Sequence, residues 1–214
     1  MGLKITKKGI PIAKLYISDE DIEWQAMADL ITYRKKWLAA YGKPLTGPLD
    51  VDNFIKELWG MEVTYEELPQ SADEESLGVF KPETQEVIID PVACNHPKRI
   101  SFTVAHEAGH LSLHVFLFVV KEGKFVGWKK DHASCDKNLE YQANLYAGSL
   151  LAPEQEICGL LKEKGLSINN LIANPIDLSA HLASFQEKFG LSRHALEIRL
   201  NRLGVPMADA KYLN

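Results

Sequence analysis

The chain has 214 residues, of which 46% are hydrophobic and 25% charged, and its net charge is −5. This composition is ordinary for a globular domain and excludes both a disordered chain and a strongly basic nucleic-acid-binding protein. The sequence has three cysteines without a Cys-x-x-Cys pair, and it has neither an apolar run of membrane-spanning length nor a secretory apolar core. We therefore predict a cytoplasmic protein that binds neither membranes nor nucleic acid directly.

One long helix is predicted near the N-terminus. Residues 1–17 are interpreted as a loose arm, after which Ser18 is a suitable N-cap with Asp21 as its capping-box partner. Apolar residues then recur at steps of three and four as far as Tyr41, and Gly42 is the expected C-terminal cap. The positions expected to pack in the core are Ile22, Ala26, Leu30, Tyr33, Trp37 and Tyr41.

A short helix and a small sheet are predicted next. Asp50 is placed to cap a helix over residues 51–59, which Gly60 ends. Residues 61–66 alternate between apolar and polar and predict a strand. Two further strands, over residues 77–80 and 86–90, are joined by a short hairpin-like connection. We therefore expect a small antiparallel sheet before the helix that follows.

That next helix carries a His-Glu-x-x-His motif inside an apolar run. Residues four apart on a helix lie on one face with Cβ atoms about 5–6 Å apart, so His106 and His110 can hold one metal ion between them. Glu107 lies about 100° round the helix, beside the ion and not needed as a ligand. Two imidazoles and an adjacent carboxylate indicate a zinc hydrolase in which the carboxylate takes a proton from water.

A catalytic zinc usually has a third protein ligand. A histidine six residues beyond His110 is excluded, because that position is Phe116. We expect the ligand to come from a second strong helix, which begins near residue 136 or 138 and ends near residue 151. Glu140 is the best candidate, with Asn144 on the same face to support a ligand imidazole. The alternative for Glu140 is a solvated helix N-terminus, which the helix dipole favours.

Other polar residues could line the site. His114 lies one helical turn past His110, too far along the helix for the same ion to bind all three histidines of this helix. It is expected to be either a polar wall of the cleft or a hydrogen-bonded core histidine. Tyr141 and His132 are further candidates for the cleft, where each could donate a hydrogen bond to an oxyanion.

The rest of the chain is predicted to be helical apart from one polar stretch and a connector over residues 166–175. Residues 121–138 have no clear period and predict a loop or short hairpin. His132, Cys135 and Asp136 lie in it and stay open as alternative ligands, although a surface loop is favoured. Pro153 is suited to open a helix. Three helices are predicted towards the C-terminus, over residues 154–164, 177–189 and 192–203.

Two segments resemble the ImmA/IrrE family of metallopeptidases. They are residues 100–114, ISFTVAHEAGHLSLH, and residues 140–153, EYQANLYAGSLLAP. Residues 189–204 match the family's C-terminal helix more loosely, and the whole resemblance runs from about residue 50 to residue 205. The chain departs from the family at Ala152, where Met before Pro is usual.

The resemblance implies a zinc-dependent endopeptidase with a zincin-like α+β fold. The family's metal ligands fall on His106, His110 and Glu140, with one zinc ion per chain, and its general acid/base falls on Glu107. Several members cleave a helix-turn-helix repressor and so release genes of a mobile element or a stress response. The expected partner is therefore a protein substrate, such as a repressor encoded nearby.

These inferences give one predicted architecture and two functional hypotheses. We expect a small antiparallel sheet beside the His-Glu-x-x-His helix, with further helices around it. Residues 1–49 form the arm and long helix, residues 50–205 the metallopeptidase domain, and residues 206–214 a tail. The first hypothesis is an intracellular zinc endopeptidase. The alternative is a protein-binding regulator with a structural or vestigial metal site.

Overall fold

A computed structural model describes residues 17–68, 77–81, 84–114, 118–121, 124–128, 137–173 and 178–205. Its helices are α1 (Asp19–Tyr41), α2 (Val51–Trp59), α3 (Pro91–Cys94), α4 (Pro97–Leu113), α5 (Lys137–Leu151), α6 (Glu154–Glu163), α7 (Ile168–Ala173), α8 (Ser179–Phe189) and α9 (Arg193–Arg202). Its strands are β1 (Glu62–Tyr65), β2 (Gly78–Lys81), β3 (Glu86–Ile89), β4 (Phe118–Lys121) and β5 (Lys124–Trp128). Across the described ranges, no helix is both long and apolar enough to cross a membrane. The predicted arm up to residue 16, the tail from residue 206, and His132, Cys135 and Asp136 lie outside these ranges.

The predicted helix ends of the N-terminal region are confirmed. The Ser18 side chain accepts a hydrogen bond from the Asp21 backbone amide at 3.1 Å, which caps α1. At its other end Gly42 adopts a left-handed conformation, with φ of 66°, and its amide bonds the Leu38 carbonyl. Asp50 caps α2 in the same way as Ser18 caps α1. Local capping chemistry therefore fixes the bounds of both helices.

The main sheet is mixed, with strand order β1-β3-β2. β2 pairs with β3 antiparallel, but β1 pairs with β3 parallel, with Glu62 opposite Glu86. The α+β class is confirmed, whereas the predicted all-antiparallel pairing is wrong for β1. Val87, Ile88 and Ile89 are buried in succession, as in a strand covered on both faces. Such a strand takes the central position, and this places β2 at the edge.

Two short helices were not predicted, and one hairpin was predicted in outline. α3 has four residues, and α7 lies inside a stretch interpreted as a connector. β4 and β5 pair antiparallel, with a shift in register between Val119 and Val120. The sequence predicted a loop or a short hairpin over residues 121–138, and the observed hairpin begins three residues earlier, at residue 118. The short helices lack the repeated apolar spacing that identifies longer ones.

The motif helix α4 packs closely against α5. A Cβ added to Gly109 would lie 3.0 Å from Ala143 Cα and 3.3 Å from Tyr146 Cβ. Real Cβ atoms rarely come so close to a neighbouring helix, so only glycine permits this distance between the axes. The side chains of α5 are thereby brought within reach of the histidines of α4.

Helix α1 belongs to the same hydrophobic core as the motif helix. Four of its predicted core positions are fully buried and contribute to one cluster with residues of α4, α5, α8 and α9: Ile22, Ala26, Leu30 and Tyr33. Trp37 packs against this cluster, but Tyr41 is 58% exposed, so its predicted core position is wrong. The helix ends beyond the packed surface there.

A polar contact also joins α1 to the motif helix. Asp29 Oδ2 accepts hydrogen bonds from Ser112 Oγ at 2.5 Å and from the Tyr146 hydroxyl at 2.7 Å. Burial, together with the nearby Asp29 carboxylate, raises the pKa of Tyr146 well above its ordinary value. Tyr146 therefore stays protonated and donates to Asp29, which links α1, α4 and α5.

We expect Asp29→Ala to lower the free energy of unfolding by about 1–3 kcal/mol, because it leaves the buried Tyr146 hydroxyl without its acceptor. Urea titration followed by circular dichroism measures the change. Lys35→Ala, at an exposed position of the same helix, is the control and should change stability by less than about 0.5 kcal/mol. Equal effects of the two substitutions would contradict a role for Asp29 in joining the helices.

Candidate metal centre

Three side chains from α4 and α5 converge on one point. His106 Nε2 lies 3.0 Å from His110 Nε2, and the Glu140 oxygens lie 3.1 Å from His106 Nε2 and 3.4 Å from His110 Nε2. Ligands about 2.0–2.1 Å from a tetrahedral zinc ion lie roughly 3.3 Å from one another. The two imidazoles and the carboxylate thus have the chemistry and the spacing of a three-ligand zinc site.

Asn144 orients the first histidine. Its Oδ1 atom lies 3.0 Å from His106 Nδ1. An amide oxygen can only accept, so His106 Nδ1 carries the hydrogen and donates it. The other ring nitrogen, Nε2, then keeps its lone pair and faces His110 and Glu140. Asn144 therefore lies one turn from Glu140 on α5 and contacts the His106 ring.

His110 is oriented by a chain of two hydrogen bonds. Its Nδ1 lies 2.9 Å from His114 Nδ1, and His114 Nε2 lies 2.9 Å from Gln142 Oε1. Because Gln142 Oε1 accepts, His114 carries its hydrogen on Nε2 and accepts on Nδ1 from His110. This leaves His110 Nε2 with the lone pair that a metal needs. Burial lowers the pKa of His114 to about 4, so the ring is neutral near pH 7, as the chain of bonds requires.

The predicted cleft position of His114 is not found, because this side chain is completely buried. His114 is instead a core histidine that is hydrogen-bonded through both ring nitrogens, which was the second of the two alternatives predicted for it. Gln142 was not predicted at all. On α5 Gln142 is buried together with the apolar residues Leu139 and Ala143. A buried glutamine side chain needs a hydrogen-bonding partner. That pattern was the one available signal for its role.

Glu140 is held as a carboxylate. When His106 and His110 carry a proton on Nε2, their rings donate hydrogen bonds to this carboxylate and keep its pKa well below the ordinary value, although its side chain is 47% exposed. At His106, burial disfavours the charged ring, but the hydrogen bond with Glu140 and the nearby Glu107 outweigh it and raise the pKa. A protonated imidazole and the ionised Glu140 carboxylate attract each other, which is why the two pKa values shift in opposite directions.

Glu107 lies beside the ligand cluster but outside it. Its side chain is buried, and burial raises the pKa of its carboxyl group. A Cβ added to Gly78 of β2 would lie 3.1 Å from Glu107 Oε1, so glycine lets the edge strand approach this carboxylate. A carboxylate with a raised pKa, next to a metal site and against a strand edge, is suited to accept and return a proton.

Tyr141 is directed away from the metal centre. Its hydroxyl donates to Asp19 Oδ2 at 2.8 Å and accepts from Arg202 Nη2 at 2.6 Å. The Arg202 guanidinium carbon also lies 5.1 Å from the centre of the Tyr141 ring. In this arrangement Tyr141 joins α1, α5 and α9, and its hydroxyl is not directed at an oxyanion over the metal. His132, the other residue predicted for the cleft, lies outside the described residues.

We expect Asn144→Ala to weaken zinc binding about 10–100-fold, as removal of a hydrogen bond to a ligand imidazole does. Competition with a chelating dye measures the affinity. Asn201→Ala on α9 is the control, because Asn201 lies outside the cluster of possible ligands. Wild-type affinity in Asn144→Ala would show that the hydrogen bond does not orient His106.

Comparison with known proteins identifies a family for most of the chain. The model of the Peptidase_M78 family, described as the IrrE N-terminal-like domain, matches residues 57–201. No curated protein matches the sequence. Among solved structures, a Mycobacterium tuberculosis transcriptional regulator is similar, with a TM-score of 0.48 and 14% identity over 85% of this chain. The chain spans 55% of that protein's length.

Proposed function

Because the chain belongs to the Peptidase_M78 family of IrrE N-terminal-like domains, we propose that it is a zinc-dependent endopeptidase that acts inside the cell. The observation that carries this proposal is the position of Glu107. A structural metal site needs ligands but no base, whereas here a buried carboxylate with a raised pKa lies beside the three ligands without being one of them. This arrangement also disfavours a non-proteolytic regulator with a vestigial site.

The residues present fit a zinc ion. His106, His110 and Glu140 would hold it, and the three-residue donor set leaves a position for water or substrate. When bound, zinc supplies Lewis acidity that lowers the pKa of water and polarises a carbonyl group. Asn144 and His114 keep both imidazoles in the tautomer that presents Nε2.

Glu107 carries the proton transfers. It accepts a proton from the attacking water as the scissile carbonyl is attacked and later donates it to the leaving amine. Its burial between α4 and β2 keeps the carboxylate in one position relative to the ligands.

The edge strand offers a place for an extended substrate. β2 pairs with β3 on one side, and the strand order leaves its other side at the sheet edge. A polypeptide that added to this edge would run past Gly78 and therefore past Glu107. The proposed substrate is accordingly a protein segment in extended conformation, such as an exposed linker of a helix-turn-helix repressor encoded nearby.

The proposal is tested by incubation of the zinc-loaded protein with that repressor, followed by intact-mass measurement. We expect two fragments whose masses sum to the repressor mass plus one water, and none after treatment with a chelator. A repressor that is bound and released from DNA with unchanged mass would contradict proteolysis and favour the binding regulator.

A further inference from the structure

A cavity of about 560 Å³ lies between α4, α5 and α9, and its lining includes Asn144 but not the three possible metal ligands themselves. This volume is typical of sites that bind small molecules or large side chains. Asn144 lines the cavity and also bonds the ring of His106. From α4 it is lined by Phe102, one turn before His106. The cavity therefore adjoins the ligand cluster on the side of His106.

The cavity has an apolar wall. Its apolar lining comes from one residue of α4, one of α5 and two of α9: Phe102, Leu145, Ala195 and Ile198. Gly148 of α5 widens it, because a Cβ added there would meet only Arg199 Cδ, at 3.9 Å. Burial of a large apolar side chain against such a wall removes that side chain from water and is favourable.

The charged residues at this cavity are all basic. The chain has a net charge of −5, yet no aspartate or glutamate lines the cavity, and its arginine and lysine residues are Lys98, Arg99, Arg199 and Arg202. Arg199 is paired with Glu23, and Arg202 with Asp19, each at 2.5 Å. In the described part of the chain Lys98 has no such ion pair, so its charge is available to a ligand.

We propose that the cavity receives a large apolar side chain of the substrate close to the scissile bond, with an acidic substrate residue beside it that pairs with Lys98. This inference rests on the proposed peptidase function and specifies its substrate class. The apolar wall selects the side chain by burial, and Lys98 selects the neighbouring charge. Asn144, which lines the cavity and bonds His106, connects this side chain to the metal centre.

A binding measurement tests the cavity without catalysis. The probe is 8-anilinonaphthalene-1-sulfonate, an aromatic anion whose fluorescence rises in apolar surroundings. We expect Gly148→Phe, which fills the cavity, to weaken binding at least about tenfold, and Lys98→Glu to weaken it about three- to tenfold. Gly159→Phe and Lys162→Glu on α6 are the matched controls, since a Cβ at Gly159 meets no atom within 4 Å. Equal binding by Gly148→Phe and wild type would overturn the assignment.

A specificity profile then identifies the occupant as substrate. The zinc-loaded protein is incubated with a proteome-derived peptide library, and the cleaved bonds are read by mass spectrometry. We expect Phe, Leu, Met, Tyr or Trp to be enriched at one position next to the bond, with Asp or Glu nearby. Gly148→Phe should shift this preference to small residues, while Gly159→Phe should leave it unchanged.

The two proposals fail in different ways. Cleavage whose profile is the same in wild type and Gly148→Phe overturns the cavity assignment and leaves the peptidase standing. If wild type cleaves neither the library nor the repressor, the peptidase proposal is wrong. In that case binding of the aromatic anion that depends on Gly148 and Lys98 would show a ligand site for another apolar anion, and the substrate assignment would be overturned.

Discussion

Glu107→Gln should abolish most hydrolysis and leave the metal in place. The amide has the size and shape of the carboxylate, but it cannot accept a proton from water. Loss of a general base typically costs 10²–10⁴-fold in rate, and we expect a fall in kcat of at least about that size. Because the Glu107 side chain is not one of the three proposed ligands, zinc content should equal that of wild type.

The same variant separates a catalyst from a binder. Substrate should still bind to Glu107→Gln, and the uncut complex should be recoverable by size-exclusion chromatography. The matched control is Glu163→Gln at the exposed end of α6, which should have wild-type activity. A repressor-release assay that is indifferent to Glu107→Gln but abolished by Gly148→Phe would show that binding, not cleavage, produces the biological effect.

His106→Ala and Glu140→Ala should each remove most of the bound zinc. Each substitution deletes one of the three proposed ligands, so the loss of affinity should exceed the 10–100-fold expected for Asn144→Ala. Metal content after dialysis, measured by atomic emission, should fall from about one ion per chain to nearly none. His181→Ala on α8 is the control for a histidine outside the cluster and should retain zinc.

This experiment also tests the choice of third ligand. If Glu140→Ala keeps its zinc while His132→Ala or Asp136→Ala loses it, the ligand comes from the segment before α5 and the assignment of Glu140 is wrong. Thermal unfolding of each variant distinguishes the loss of a ligand from the loss of the fold. Glu140 is half exposed, so its truncation removes no core packing and should leave the apo fold intact.

Local sequence signals predicted the helices of this protein well. Ser18 and Asp50 are N-caps whose side chains bond the backbone three residues on, and Gly42 and Gly60 end their helices in the left-handed conformation. These devices act within one helical turn, so the sequence alone specifies them. The pairing of His106 with His110 was predictable for the same reason, because a four-residue spacing on a helix fixes which side chains share a face.

For contacts between distant segments, the sequence supplied only candidate residues and did not show which of them meet. Glu140 was a candidate ligand by residue type and helix face, but its distance from His106 depends on the close packing of α4 and α5 at Gly109. The role of His114 stayed open between two alternatives, because its partner Gln142 comes from another helix. Asp29 was not identified either, since both of its donors on α4 and α5 are more than eighty residues away in the chain.

The sequence by itself thus determined the bounds of α1 and α2, the pairing of the two histidines on one helix face, the position of Glu107 beside them and the family. Tertiary structure decided the parallel pairing of β1 with β3, the bonds that fix both imidazole tautomers, and the basic cavity formed with α9. The physical reason is the distance along the chain over which each kind of interaction acts. Capping and helical periodicity depend on neighbours within a few residues, whereas strand order, convergent ligands and cavities depend on which surfaces of separate elements bury one another.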